Sequence, residues 1–218
     1  MGENTERRRA RRQARGLRRQ EAILDAAAQV FVELGYDKAT TNMIAARAAV
    51  SPGSLYQFFP HKEAIAQALV ARTIEQLLII YDTAFSLEAA SLPLHALLDH
   101  IIDPLVAFNR ANPGFLALFV GSQISPQLAI AFQDLHAEVL RRFEALIAAR
   151  APSIEPERRR LIATVSHKIF LALLPLAVGQ DVRQSNTIVG EMKAVLLGYL
   201  EPMIGLHGMD QVHNFIVH

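Results

Sequence analysis

The residues best suited to chemistry lie near the N-terminus, and the chemistry they suit is hydrogen bonding to phosphate and to base edges. Ser51-Pro52-Gly53-Ser54-Leu55-Tyr56-Gln57 combines turn residues with an apolar and aromatic run. Ser51 can cap a helix by accepting a backbone N–H bond. Pro52 fits the first helical position, where no N–H is needed. Gly53 carries no side chain, so the exposed front of the helix can come close to phosphate or base edges. The free N–H groups and dipole of a helix start attract phosphate as well. Leu55 and Phe59, four apart, can pack inward, which leaves Ser54, Tyr56 and Gln57 facing out. A second group of donors precedes this one: Arg7 to Arg19 holds eight Arg and no Lys. Guanidinium grips phosphate bidentately, and such a block reads as an arm that meets nucleic acid.

Other chemistries find no support. Cysteine is absent, which excludes disulfides and zinc-thiolate sites. His95 and His100 are five apart, a poor spacing for one helical face, and His136 and His167 lie in separate segments. The tail holds three more His in "HGMDQVHNFIVH", close to the terminus, so no metal site is expected. Ser122, Ser125 and Ser166 lack a nucleophile-elbow context, and no Gly-rich phosphate loop follows a strand. Neither a catalytic residue nor a cofactor is expected.

The elements that position the basic and helix-start residues follow from composition and periodicity. The chain has 218 residues, 51% of them hydrophobic, enough for a sizeable core. Residues 1–62 carry eleven Lys/Arg against six Asp/Glu, whereas residues 63–218 carry eleven against fifteen, so the overall +1 hides a basic front and an acidic remainder. The longest apolar run, Ile169 to Val178, has ten residues and contains Pro175, too short to span a bilayer. No apolar signal segment follows the first residues. The expectation is a cytoplasmic protein with no membrane partner.

Helical periodicity runs through nearly the whole chain and no useful strand alternation occurs, so the fold class is all-α. Ile23, Ala27, Val30, Phe31 and Leu34 form the face of a first helix, with Gly35 as its stop. Thr41 is placed as the N-cap of a short second helix. A third, short helix begins at Ser51, and a long one runs from about His61 to Thr83. Further helices are expected at about 93–111, 113–122, 126–150, 156–179 and 186–204, with Pro104 and Pro175 kinking or ending theirs.

Three short helices with a tight turn between the second and third describe a helix-turn-helix, whose third helix enters the DNA major groove. The stretch "AAAQVFVELGYDKATTNMIAARAAVSPGSLYQFFPHKEAI" resembles the N-terminal domain of the tetracycline-repressor (TetR) family. That resemblance implies a three-helix DNA-binding domain joined to a larger helical ligand-binding and dimerisation domain. It also implies a homodimer that binds a palindromic double-stranded DNA operator and is released by a small-molecule effector. Carried onto this chain, Thr41 would bond phosphate at the start of the second helix. Ser51, Pro52, Gly53, Ser54, Tyr56 and Gln57 would form the reading surface, and Lys62 would contact phosphate. Arg47 joins them as a candidate DNA contact on the second helix. Two positions depart from the family pattern. Ala49 stands where the turn usually has Gly, and His61 where Asn or Ser commonly caps the fourth helix.

The remaining chain offers candidates for a pocket and for a subunit interface. Aromatic residues in the later helices, Phe108, Phe115, Phe119, Phe132, Phe143 and Phe170, are candidate lining. Polar residues embedded in apolar segments, Asn109, Gln123, His136, Ser166 and His167, need partners when buried, and a ligand can be one. The helix near 156–179 is apolar around much of its girth, with Leu161, Val165, Ile169 and Leu173 on one stripe. In the last helix Gly190, Ala194 and Gly198 fall at i, i+4 and i+8, beside Val195 and Tyr199. A helix that must bury two faces, next to one with small residues on a stripe, fits a dimer interface. The expected organisation is a basic disordered arm over 1–19, a DNA-binding domain over 20–66, a ligand-binding and dimerisation domain over 67–206 and a tail over 207–218. The alternative is a non-specific or architectural DNA-binding protein that relies on the Arg-rich arm.

Overall fold

The computed structural model describes residues 2–120, 126–179 and 181–205, and among them the chain is all-α. The helices are α1 (Gly2–Lys38), α2 (Thr41–Arg47), α3 (Pro52–Tyr56), α4 (Lys62–Ala84), α5 (Leu94–Ala111), α6 (Pro113–Val120), α7 (Pro126–Arg150), α8 (Pro156–Ala177) and α9 (Val182–Ile204). They divide into two compact units. The first comprises Met1–Thr73 with Asn112–Phe132, the second Ile74–Ala111 with Gln133–His218.

In the first unit the apolar face of α1 is buried as its spacing requires: Ile23, Ala27, Val30 and Phe31 are nearly inaccessible, as are Ile44, Ala45, Leu55, Phe59 and Ile65. Gly35 takes φ 75°, a left-handed conformation suited to glycine, and breaks the regular run of α1. Helix α6 packs against α1. Gly114 permits this: a Cβ there would sit 2.8 Å from the Ala28 Cα, so only glycine fits.

Several expectations are corrected. The stretch expected as a disordered arm, 1–19, is helical from Gly2 onward. Arg, Ala and Gln are good helix formers, and the segment extends a helix anchored from Ile23, so it needs no nucleus of its own. Thr40, not Thr41, caps α2, accepting a bond from the Met43 N–H at 3.2 Å. Two adjacent threonines offer the same chemistry, and Thr41 becomes the first residue of the helix. His61 is a working cap after all: its Nδ1 accepts from the Ala64 N–H at 3.1 Å.

Ala49, in the turn between α2 and α3, adopts φ 52°. An L-residue with a Cβ is strained there by about 1 kcal/mol relative to glycine. Ala49→Gly should therefore raise unfolding stability by about 0.5 kcal/mol or less, the larger chain entropy of unfolded glycine taking back much of the gain. Urea melts of the two proteins check this. Destabilisation by the full entropy cost of glycine, about 0.4–1 kcal/mol, would show that the turn carries no strain.

In the second unit, α9 packs on both α5 and α8. Helix α5 continues through Pro104 instead of ending there, and α8 ends two residues after Pro175. Helix α9 starts four residues earlier than its periodicity suggests, because Asp181 caps it by accepting from the Arg183 and Gln184 N–H groups. Arg150 is buried and donates to the carbonyls of Ala90 (2.7 Å), Leu92 (2.6 Å) and Ile204 (3.3 Å), fastening the loop before α5 and the end of α9. Arg110 bridges α8 to α9 through the Ala177 carbonyl (3.1 Å), Ser185 Oγ (2.9 Å) and Asn186 Oδ1 (3.0 Å). The tail from 206 onward and Gln123 lie outside the described residues.

Candidate nucleic-acid interface and ligand pocket

Helix α3 is built as its sequence dictates. The Ser51 hydroxyl accepts from the Ser54 N–H at 3.2 Å, Pro52 holds the first position and Gln57 closes the helix. Leu55 is fully buried and Phe59 nearly so, and together they seat the helix. What faces out is the expected set. Tyr56 is 50% exposed, Gln57 is exposed, and a Cβ at Gly53 would meet no atom within 4 Å. The front of α3 is therefore open backbone at Gly53, flanked by hydroxyl and amide side chains.

The surrounding donors are organised by contacts that the sequence does not display. Tyr56 Oη and Thr41 Oγ1 share a hydrogen bond at 2.9 Å, joining the start of α2 to the end of α3. Arg19 Nη1 donates to Ser54 Oγ at 3.3 Å, so the basic helix reaches the reading surface. Arg47 forms a two-pronged pair with Glu33 (2.8 and 2.7 Å) and also donates to Gln29. That pair holds the Glu33 carboxyl below its ordinary range. Lys62 donates to the carbonyls of Tyr36 (2.7 Å) and Ala39 (2.9 Å), and its ammonium lies 4.2 Å from the Tyr36 ring centroid. In this arrangement Lys62 fastens the start of α4 to the end of α1, where free carbonyls and the helix dipole favour a cation. Thr41, Ser51, Gly53, Ser54, Tyr56 and Gln57 thus share one surface, whereas Arg47 and Lys62 hold partners inside the chain.

The second unit contains a narrow pocket, about 520 Å³ when the open solvent at its mouth is counted. Its walls include Tyr81 and Phe85, Ile101 and Leu105 of α5, Phe143 of α7, Phe170 of α8 and Leu196 of α9. Ser166 and His167 of α8 form its polar part. Both are buried, and neither Ser166 Oγ nor His167 Nε2 has a hydrogen-bond partner. The ring of His136 meets that of His167 edge to face, 5.2 Å between centroids.

The other pocket candidates are placed elsewhere. Phe115 and Phe119 pack on Phe132 within the first unit, at 5.6 and 5.1 Å. Asn109 is buried but satisfied by the Leu105 carbonyl at 2.8 Å, and Phe108 is absent from the lining. Tyr81 and Phe85 were not anticipated as lining. They stack edge to face at 5.9 Å, and their i, i+4 spacing is the signal that could have found them.

Burial, reinforced by His136 and Lys168, pushes the His167 imidazole down from 6.5 to about 4. Unfolded His167 binds a proton near pH 6.5, whereas the folded ring stays neutral until about pH 4. Stability from this group is therefore complete above pH 6.5, falls as the pH drops between these values, and levels off below them. The loss is of order 3 kcal/mol. His167→Leu should flatten that part of the profile, measured as unfolding free energy at pH 7.5 and 4.5. An equally steep fall in the variant would assign the acid lability to other groups.

Of the proposed dimer residues, none is fully buried. Leu161 and Val195 are each 49% exposed, Val165, Ile169, Leu173 and Tyr199 are half-buried, and Gly190, Ala194 and Gly198 are exposed. A Cβ at Gly190 or Gly198 would meet nothing within 4 Å.

Comparison with known proteins agrees with this geometry. Residues 23–69 match the family described as bacterial regulatory proteins, tetR family, and residues 93–200 match the tetracyclin repressor-like C-terminal domain. The chain is 24% identical over 160 residues to the HTH-type transcriptional regulator YhgD of Bacillus subtilis, covering 72% of this chain and 82% of that protein. Over 59 residues it is 48% identical to the A-factor receptor protein of Streptomyces griseus, a match spanning 27% of this chain and 21% of that protein. In fold it is similar to the crystal structure of a TetR-like transcriptional regulator from Rhodococcus, with TM-score 0.68 at 16% identity over 83% of this chain and 94% of that one. The family is not enzymatic. With both of its domains matched, the chain belongs to the TetR family of DNA-binding transcriptional regulators.

Proposed function

We propose that this regulator acts as a cytoplasmic homodimer that represses transcription by holding a palindromic operator and is released by a small molecule in the second unit. The observation that carries the reading is the bare front of α3: Gly53 open, Tyr56 and Gln57 exposed, and the Thr41 hydroxyl tied to Tyr56 on the same edge. Each subunit sets this surface in a major groove, so two-fold symmetry places half-site centres one or more helical turns apart. The basic stretch of α1 adds phosphate contacts beside it and steepens the salt dependence. A partner subunit covers the apolar stripes of α8 and α9, which the chain leaves open by itself.

Ligand release works through α4 in this reading. That helix begins at Lys62 and carries Tyr81 to the pocket lining. A ligand that binds better when α4 is displaced changes the spacing of the two reading helices, and the change in DNA affinity equals its differential affinity for the two states. Selection of bound duplexes from a random pool tests the proposal. It should enrich one sequence with two-fold symmetry. Enrichment of no sequence, together with loss of all binding when residues 1–19 are removed, would favour a non-specific arm-driven binder.

A further inference from the structure

We infer that the pocket of the second unit takes an uncharged, mostly apolar ligand carrying one hydroxyl or carbonyl group, which hydrogen-bonds to Ser166 and His167. This rests on the ligand-responsive reading above and names the class of ligand. Two observations carry it. Ser166 and His167 line the same cavity and are only 3% and 8% exposed, and neither Ser166 Oγ nor His167 Nε2 has a partner within the chain. Leaving such groups buried and unpaired costs about 1–3 kcal/mol each, so a ligand atom that satisfies them gains selectively over one that does not. The rest of the lining is aliphatic or aromatic, apart from the Tyr81 hydroxyl, and no Asp, Glu, Lys or Arg is among the described lining residues.

The absence of lining charges decides between ligand classes. A carboxylate entering the cavity loses its hydration and meets only neutral donors. A protonated amine loses its hydration and meets no anion. His167 reports on the second case: a positive charge on its own ring is disfavoured at this place by burial and by the neighbouring His136 and Lys168. Tyr81 remains a neutral phenol because burial raises its pKa. A single neutral oxygen needs only the hydrogen bonds that these groups offer, while its hydrocarbon part lies against Leu98, Ile101 and Leu200.

The test uses the full chain at pH 7.5 with four eight-carbon probes: octan-1-ol, octan-2-one, octanoate and octylamine. Dissociation constants come from calorimetry, and release of the selected duplex from fluorescence anisotropy. The alcohol or the ketone should bind at least tenfold more tightly than either ion. Ser166→Ala should weaken that probe about tenfold while leaving the apo melting temperature within a few degrees, and His167→Leu should act in the same direction. Octanoate or octylamine binding as tightly as the neutral probes overturns the inference, as does neutral binding that Ser166→Ala leaves unchanged, or no binding by any probe. The two readings fail separately. A charged probe that releases DNA sinks the ligand class and keeps the ligand-responsive regulator. A neutral probe that binds through Ser166 without altering DNA affinity keeps the ligand class and sinks the ligand response.

Discussion

Gly53→Glu should lower operator affinity at least a hundredfold, about 2.7 kcal/mol or more, while leaving folding and dimerisation intact. A Cβ at this position meets no atom of the chain within 4 Å, so the substitution disturbs no packing. Gly53 is the second residue of a helix whose start faces outward. A side chain there holds the backbone away from the groove, and its carboxylate puts a negative charge where phosphate would approach. The carboxylate is even compatible with the helix, since acids are favoured in a first turn. Stability and DNA binding should therefore part company. Circular dichroism melts and anisotropy titrations measure the two. Unchanged DNA affinity would remove the front of α3 from the interface.

The second large effect concerns subunit association. Gly198→Glu should convert a dimer into a monomer of 24.1 kDa in sedimentation equilibrium, and should lower operator affinity by about a thousandfold through loss of the second half-site. Within the chain the position is open, and glycine inside a helix is about 1 kcal/mol worse than alanine. An unconstrained exposed site would tolerate almost any residue. In the proposed dimer, glycine at 190 and 198, with alanine at 194 between them, would let a helix of the second copy approach this stripe closely. The same face carries Val195, and α8 leaves Leu161 and Leu176 exposed, at 49% and 57%. An acid placed among these apolar groups would be buried without a partner in the dimer. A Gly198→Glu protein that still sediments as a dimer would move the interface elsewhere.

How much of this was legible in the sequence depends on how far apart the interacting atoms lie. The start of α3 was fully readable, because Ser51, Pro52 and the Ser54 N–H act within four residues of one another. Ala49 stood out only against the family resemblance, where glycine is usual in this turn, and its φ of 52° agrees with a position that favours glycine. Thr40 and Thr41 marked the limit of local reading: both hydroxyls can cap, and the Tyr56 hydroxyl 15 residues away is what occupies Thr41. Lys62 lay beyond it, since its carbonyl partners are 23 to 26 residues upstream.

In the second unit, Ser166 and His167 stood out as polar residues in an apolar helix, and the structure sets both on the pocket wall. Phe115, Phe119 and Phe132 did not reveal their location, because an aromatic side chain suits a core and a pocket equally. Gly114 was the missed clue. Its close approach to Ala28 is what places α6 against α1. The arm was misread because charge density suggested disorder, whereas continuity with an anchored helix decides the matter.

The central claim is that two copies of the α3 surface read one two-fold symmetric duplex. A stoichiometric and competitive titration at fixed salt tests it most directly, using the selected palindrome and the same bases in scrambled order. The account predicts two chains per duplex and a preference for the palindrome of order a thousandfold or more. Equal affinity for the two duplexes, or one chain per palindrome with full affinity, would contradict it.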